Sequence, residues 1–105
     1  MSTYVFGDIQ GCFDELQKLL GECQYNKHKD QLWFVGDLIN RGPKNLETMK
    51  FILELDDPVI VLGNHDLHFL AVANNIHPGV ENDTIQDILD SAKRKDIIEF
   101  LRQQK

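Results

Sequence analysis

The stretch "YVFGDIQGC", Tyr4 to Cys12, decides how the rest of the chain is read. Three large apolar residues stop at Gly7, and a carboxylate, Asp8, follows at once. The same punctuation returns in "LWFVGD", Leu32 to Asp37, and in "VIVLGN", Val59 to Asn64. Each apolar run is continuous and rich in β-branched and aromatic residues, a pattern that suits parallel strands covered on both faces. Between the first two runs lies "CFDELQKLLG", with Phe13, Leu16, Leu19 and Leu20 at helical spacing and Gly21 as a stop. Between the second and third, "NLETMKFILEL" carries Leu46, Met49, Ile52 and Leu53 on one stripe, with Asn45 as a candidate cap.

A third helix is predicted over "HDLHFLAVANN". The turn-rich stretch "NNIHPGVEND", Asn74 to Asp83, reads as an exposed loop. A further helix is predicted from Thr84, with Asp87 as the partner of a weak capping box, and a last one over "DIIEFLRQQ". The order is therefore a parallel βαβαβα core followed by C-terminal helices, an α/β fold. Its strand-to-strand steps are close to the ~30 residues of a βαβ unit, with right-handed crossovers expected.

At 105 residues the chain forms one domain or part of one. Hydrophobic residues make up 42% and charged residues 27%, the balance of an ordinary globular chain. No apolar stretch approaches a membrane span, and "MSTYVFGD" lacks the marks of a signal peptide. A net charge of −6 disfavours a phosphate-tracking nucleic-acid surface. No nucleic-acid or membrane partner is expected. Cys12 and Cys23 have no C-x-x-C pairing and read as small buried hydrophobes in a reducing cytoplasm.

In open α/β sheets the functional crevice lies beyond the carboxyl ends of the strands. Asp8, Asp37 and Asn64 each fall just past such an end, on one edge of one sheet. Two carboxylates on neighbouring strands, about 4.8 Å apart, repel by roughly 3 kcal/mol at an effective dielectric near 20. A proton or a cation between them removes that cost. Asp and Asn oxygens with a histidine nitrogen suit Mn²⁺, Mg²⁺, Fe²⁺ or Zn²⁺, so the cluster reads as a metal site.

"GDIQGC", "GDLINRGP" and "GNHDLH", in that order, resemble the three N-terminal motifs of the calcineurin-like metallophosphoesterases, G-D-x-H-G, G-D-x-x-D-R-G and G-N-H-[E/D]. The surrounding text, "QLWFVGDLINRGP" and "VLGNHDLHFLAVA", is similar to the symmetrical diadenosine tetraphosphatases of that family. The resemblance runs through nearly the whole chain. It implies that residues 1–105 are part of a metallophosphoesterase domain, the N-terminal half of an αββα sandwich. It also implies a dinuclear site of divalent metal ions, with Mn²⁺ favoured over Co²⁺, Fe²⁺, Mg²⁺ or Zn²⁺. Asp8 would ligate the first metal, Asp37 would bridge both, and Asn64 would ligate the second. His65 would stand near the leaving-group oxygen and protonate it, and Arg41 would bind substrate phosphate. The implied substrate is a dinucleoside polyphosphate, diadenosine tetraphosphate, cut symmetrically into two ADP.

Three departures from the family pattern stand out. Gln10 fills the histidine position of the first motif, either as an amide ligand or as a hydrogen-bonding partner of a metal-held water. Asn40 replaces the second acid of the second motif, which in relatives orients and charges the histidine; Asp66 is a candidate for part of that missing charge. The third is length, since family members continue into a second half with further histidine ligands. His28 and His77 read as surface loop residues and His68 as core or surface, so none is a substitute ligand. The chain alone is then expected to bind one metal well and a second poorly, and to self-associate through an uncovered sheet face. Two alternatives remain open: a protein serine/threonine phosphatase of the same superfamily, and a non-catalytic half-domain that binds metal or a partner.

Overall fold

The computed structural model describes residues 2–75, 78–79 and 83–104. Three strands, β1 (Thr3–Phe6), β2 (Gln31–Val35) and β3 (Val59–Val61), form one parallel sheet in the order β1-β2-β3. Phe6 pairs with Phe34 and Phe34 with Ile60, so the three strand ends lie side by side. The strands alternate with α1 (Phe13–Glu22), α2 (Asn45–Leu53) and α3 (Asn64–Ala73). Two further helices follow, α4 (Gln86–Leu89) and α5 (Arg94–Arg102). The α/β order read from the sequence is the one observed.

The continuous apolar strands are covered on one face only within this chain. Leu32, Phe34 and Ile60 point into a core with Leu16, Met49, Ile52 and Phe69. The alternate positions Val5, Trp33, Val35 and Val61 are exposed, Val5 at 58%. Strand residues alternate faces, and the helices here bury one of them.

Several local readings change. Gly21 lies inside α1 and does not end it; a Cβ there would meet nothing within 4 Å. The stop is Gln24, whose φ of 56° is left-handed. Its N–H donates to the Gly21 carbonyl, and the Tyr25 N–H donates to the Leu20 carbonyl. This pair of bonds closes a helix C-terminus in the Schellman pattern. Cys23 is exposed at that cap and Cys12 half-buried, so neither is the buried hydrophobe expected.

Asn45 is the first residue of α2 and its side chain caps nothing there. Asp87 does so from across the fold, its Oδ2 accepting the Leu46 N–H at 2.8 Å. The capping box expected at Thr84 and Asp87 is therefore absent, and α4 begins at Gln86. His28 is an exposed turn residue, as expected, whereas His77 and half of the expected loop lie outside the described residues. Among the described residues no helix is long and apolar enough to cross a membrane.

Candidate metal centre

Beyond their last paired residues the three strands continue as loops that remain hydrogen-bonded to one another. The Asp8 N–H donates to the Gly36 carbonyl, Gln10 N–H to the Asp37 carbonyl and Gly11 N–H to the Leu38 carbonyl. On the other side the Gly36 N–H donates to the Val61 carbonyl at 2.8 Å, and the His65 N–H donates to Asp37 Oδ1 at 2.8 Å. This ladder brings Asp8 and Gln10 beside Asp37, and Asp37 beside Asn64 and His65. Gly63 makes the last approach feasible, because a Cβ at that position would overlap the Asp37 backbone nitrogen and Oδ1.

The backbone in these loops is unusual. Asp8, Gln10, Asp37, Asn40 and Arg41 all have left-handed φ, between 50° and 80°. Such a conformation is unfavourable for a residue with a Cβ and persists where surrounding bonds over-determine it. Here the loop–loop hydrogen bonds supply that constraint.

Two kinds of side chain occupy the site. Asp8, Gln10, Asn64 and Arg41 are at least partly open to solvent, and their side chains have no hydrogen-bond partner among the described residues. Asp37 engages Oδ1 alone. By contrast, Asn40 and Asp66 are wholly buried and heavily bonded. Asn40 Oδ1 accepts from Arg41 N at 2.9 Å and Thr84 N at 2.8 Å. Asn40 Nδ2 donates to Asp83 Oδ1 at 3.0 Å and lies 3.5 Å from His65 Nδ1.

Asp66 bonds backbone N–H groups and not the histidine ring. Its carboxylate accepts the N–H groups of Leu38 at 2.9 Å, Ile39 at 3.4 Å and Gly63 at 3.0 Å, tying the loop after β2 to the start of α3. Burial pushes its carboxyl above the usual range; the three N–H groups oppose the shift, and the Asp37 charge adds to it. Its place in the structure is that of a brace for Asp37 and Asn64. The ring of His65 meets Asn40 instead.

Asp83, Thr84 and Asn45 were not anticipated at the site. Asn45 Oδ1 accepts from Asn40 N at 2.8 Å, and its Nδ2 donates to the Thr84 carbonyl at 2.6 Å. Asp83 joins Asn40 to His68, whose Nε2 lies 2.8 Å from Asp83 Oδ2. Asp83 and Thr84 lie 43 and 44 positions beyond Asn40 in the chain, and nothing local in "NDT" announces them.

The donor set fits a hard divalent cation. Among the described residues no group of three His, Cys, Asp or Glu side chains could hold a metal. The strand ends instead offer two carboxylates, Asp8 and Asp37, and two amide oxygens, Gln10 and Asn64. Apart from Asp37 Oδ1, which accepts the His65 N–H, these oxygens are not taken by the protein's own donors among the described residues, and such a set suits a hard divalent cation.

The sequence model of calcineurin-like phosphoesterases matches residues 1–102. The chain belongs to the calcineurin-like phosphoesterase family. Within this phosphoesterase family it is 50% identical, over 99% of its own length, to a symmetrical bis(5'-nucleosyl)-tetraphosphatase of Vibrio cholerae. It is 51% identical to the protein of the same designation from Stutzerimonas stutzeri. The chain spans 39% and 38% of the length of those two relatives. The solved structure of a provisionally assigned diadenosine tetraphosphatase superposes with a TM-score of 0.78 at 28% identity, over 97% of this chain and 42% of that one. A metallophosphoesterase from Sphaerobacter thermophilus shares the fold, with a TM-score of 0.71 at 19% identity, over 98% of this chain and 40% of that one.

Proposed function

We propose that this chain carries metal- and phosphate-binding machinery for symmetrical hydrolysis of diadenosine tetraphosphate to two ADP. The observation that carries the reading is the alignment of Asp8, Gln10, Asp37 and Asn64 at neighbouring parallel strand ends, with Arg41 and His65 in the same loops. About 50% identity to proteins designated symmetrical bis(5'-nucleosyl)-tetraphosphatases supports the choice of substrate.

Asp8, Asp37 and Asn64, with Gln10, would hold divalent metal, Mn²⁺ favoured by the hard oxygen set. Bound there, the metal would supply an activated water and offset negative charge on the attacked phosphorus. The protein's own groups do the rest. Arg41, its guanidinium making no hydrogen bond among the described residues, offers a planar fork to phosphate oxygens. His65 holds a proton for the departing nucleotide oxygen. Water adds its oxygen to one central phosphorus, the central P–O bond breaks, and the departing oxygen gains a proton to complete the second ADP.

Two unpaired cysteines, Cys12 and Cys23, support a reducing cytoplasm as the working compartment. The exposed apolar sheet face of Val5, Trp33, Val35 and Val61 supports self-association of the chain by sheet-on-sheet packing.

Incubating the purified chain with Mn²⁺ and diadenosine tetraphosphate and separating the nucleotides tests the reading. ADP as the sole product, lost on chelation, is expected. AMP with ATP, or cleavage of a phosphopeptide in preference, would overturn it; no turnover with rescue by a complementary polypeptide would point to a half-enzyme.

A further inference from the structure

Asn40 stands where the family motif has an acid, and its surroundings state what it does instead. Oδ1 accepts two backbone N–H groups, those of Arg41 and Thr84. Turning the amide over would set its NH₂ against both donors, so its orientation is fixed without ambiguity. Nδ2 therefore faces Asp83 Oδ1 at 3.0 Å and His65 Nδ1 at 3.5 Å. An amide nitrogen only donates, so a hydrogen bond between the two requires His65 Nδ1 to accept and places the ring hydrogen on Nε2.

Asp83 is held firmly enough to govern this. Its second oxygen meets His68 Nε2 at 2.8 Å, and its side chain is 11% exposed. The next residue, Thr84, donates from Oγ1 to the Gly42 carbonyl at 2.8 Å and receives Asn45 Nδ2 on its own carbonyl. The segment is thus strapped across the loop that bears Asn40 and Arg41.

We propose that Asp83 is a positioning residue for the hydrolysis: it anchors the Asn40 amide, which in turn fixes His65 as the Nε2–H tautomer. The inference rests on the reading of His65 as the group at the departing oxygen. Asn40 and Asp83 are matched as hydrogen-bond donor and acceptor. An acid at position 40 would put two carboxylates in hydrogen-bond contact, whereas an amide there joins the acid to the imidazole. The acid absent from the motif is supplied from a segment 43 residues further along the chain.

The test uses the full chain with ¹⁵N-labelled histidine, and long-range ¹H–¹⁵N correlations report the His65 tautomer in metal-free protein. The parent is expected to show Nε2–H. Asp83→Asn should retain it, since an amide oxygen still accepts from Asn40 and its NH₂ can serve His68. Asp83→Ala should give mixed tautomers and, with Mn²⁺, lower kcat by about 10–100-fold with a much smaller change in KM, as removal of an orienting partner does. Unchanged His65 signals in Asp83→Ala, or equal damage from Asn and Ala, would overturn the proposal. If Asp83→Ala does not fold, Asn40→Asp is compared in the parent and in Asp83→Asn. Loss of the Nε2–H signature in both variants, since a carboxylate at position 40 only accepts, with the stability lost in the single variant recovered in the double, supports the link; a retained Nε2–H signature or additive destabilisation overturns it. Absence of tetraphosphate hydrolysis by the parent would sink the functional reading, while the metal-free tautomer measurement would still decide on Asp83.

Discussion

Replacing Asp66 with alanine is expected to damage this fold more than any loss of apolar area at that position would suggest. The side chain is 0% exposed, and its carboxylate receives three backbone N–H groups, two at 2.9 and 3.0 Å and one at 3.4 Å. Alanine leaves those donors without an acceptor. A stranded buried donor costs about 1–3 kcal/mol, and the long third bond counts for less than the others. Burial already disfavours the charged carboxylate, as its raised pKa records, so removing it returns part of that cost. The net loss is about 3–4 kcal/mol, against the roughly 5–15 kcal/mol that holds a typical domain together.

For a chain of this size that corresponds to a fall in Tm of about 15–25 °C, read by circular dichroism or calorimetry. Asp66→Asn keeps one acceptor oxygen and opposes the Gly63 N–H with its own NH₂, so it should fall between parent and alanine. Because the brace joins the Asp37 and Asn64 segments, Mn²⁺ affinity of Asp66→Ala should also drop by about tenfold or more under conditions where the variant is folded. A Tm within a few degrees of the parent, or alanine and asparagine variants of equal stability, would refute the acceptor-count reasoning.

Gly63→Ala places a Cβ onto the Asp37 backbone nitrogen and Oδ1; the forced shift should cost about 1–3 kcal/mol and weaken Mn²⁺ binding, and parent-like titration would count against the close approach. Trp33→Glu, on the open sheet face, should shift sedimentation toward monomer, and an unchanged mass would show that this face is not the contact. Asp30 has its carboxyl held below the usual 3.8, first by the Asn26 N–H and then by the Ser2 N–H. A depressed folded pKa gives stability that is present above the ordinary value and lost as pH falls through the folded one. Asp30→Asn should therefore flatten the acid limb of the urea-midpoint profile, and two superimposable limbs would contradict the assignment.

The strands and the strand-end residues were legible because their signal is local. An apolar run, a glycine and then an acid or amide fixes both the strand and what stands past its end. That is why Asp8, Asp37 and Asn64 could be assigned to one edge before any contact was known. The supporting residues were hidden for the opposite reason. Asn45 looks like a cap from its neighbours, yet its oxygen is taken by the Asn40 N–H and its NH₂ by Thr84. Asp87 looks like part of its own helix start, yet it caps α2. Gly21 looks like a stop, yet the left-handed turn falls on Gln24. In each case a tertiary partner or a whole-turn hydrogen-bond pattern outweighs the propensity of one residue. Asp83 carries no local mark, and its role depends on a buried amide that the chain must first fold to create.

The most direct test of the account is the number of Mn²⁺ ions bound per chain, measured by titration under electron paramagnetic resonance in the parent and in Asp37→Asn. One tight site per chain in the parent, lost or greatly weakened by the substitution, is expected. Equal binding by both proteins, or none by the parent while folded, would contradict a cation held between the strand ends.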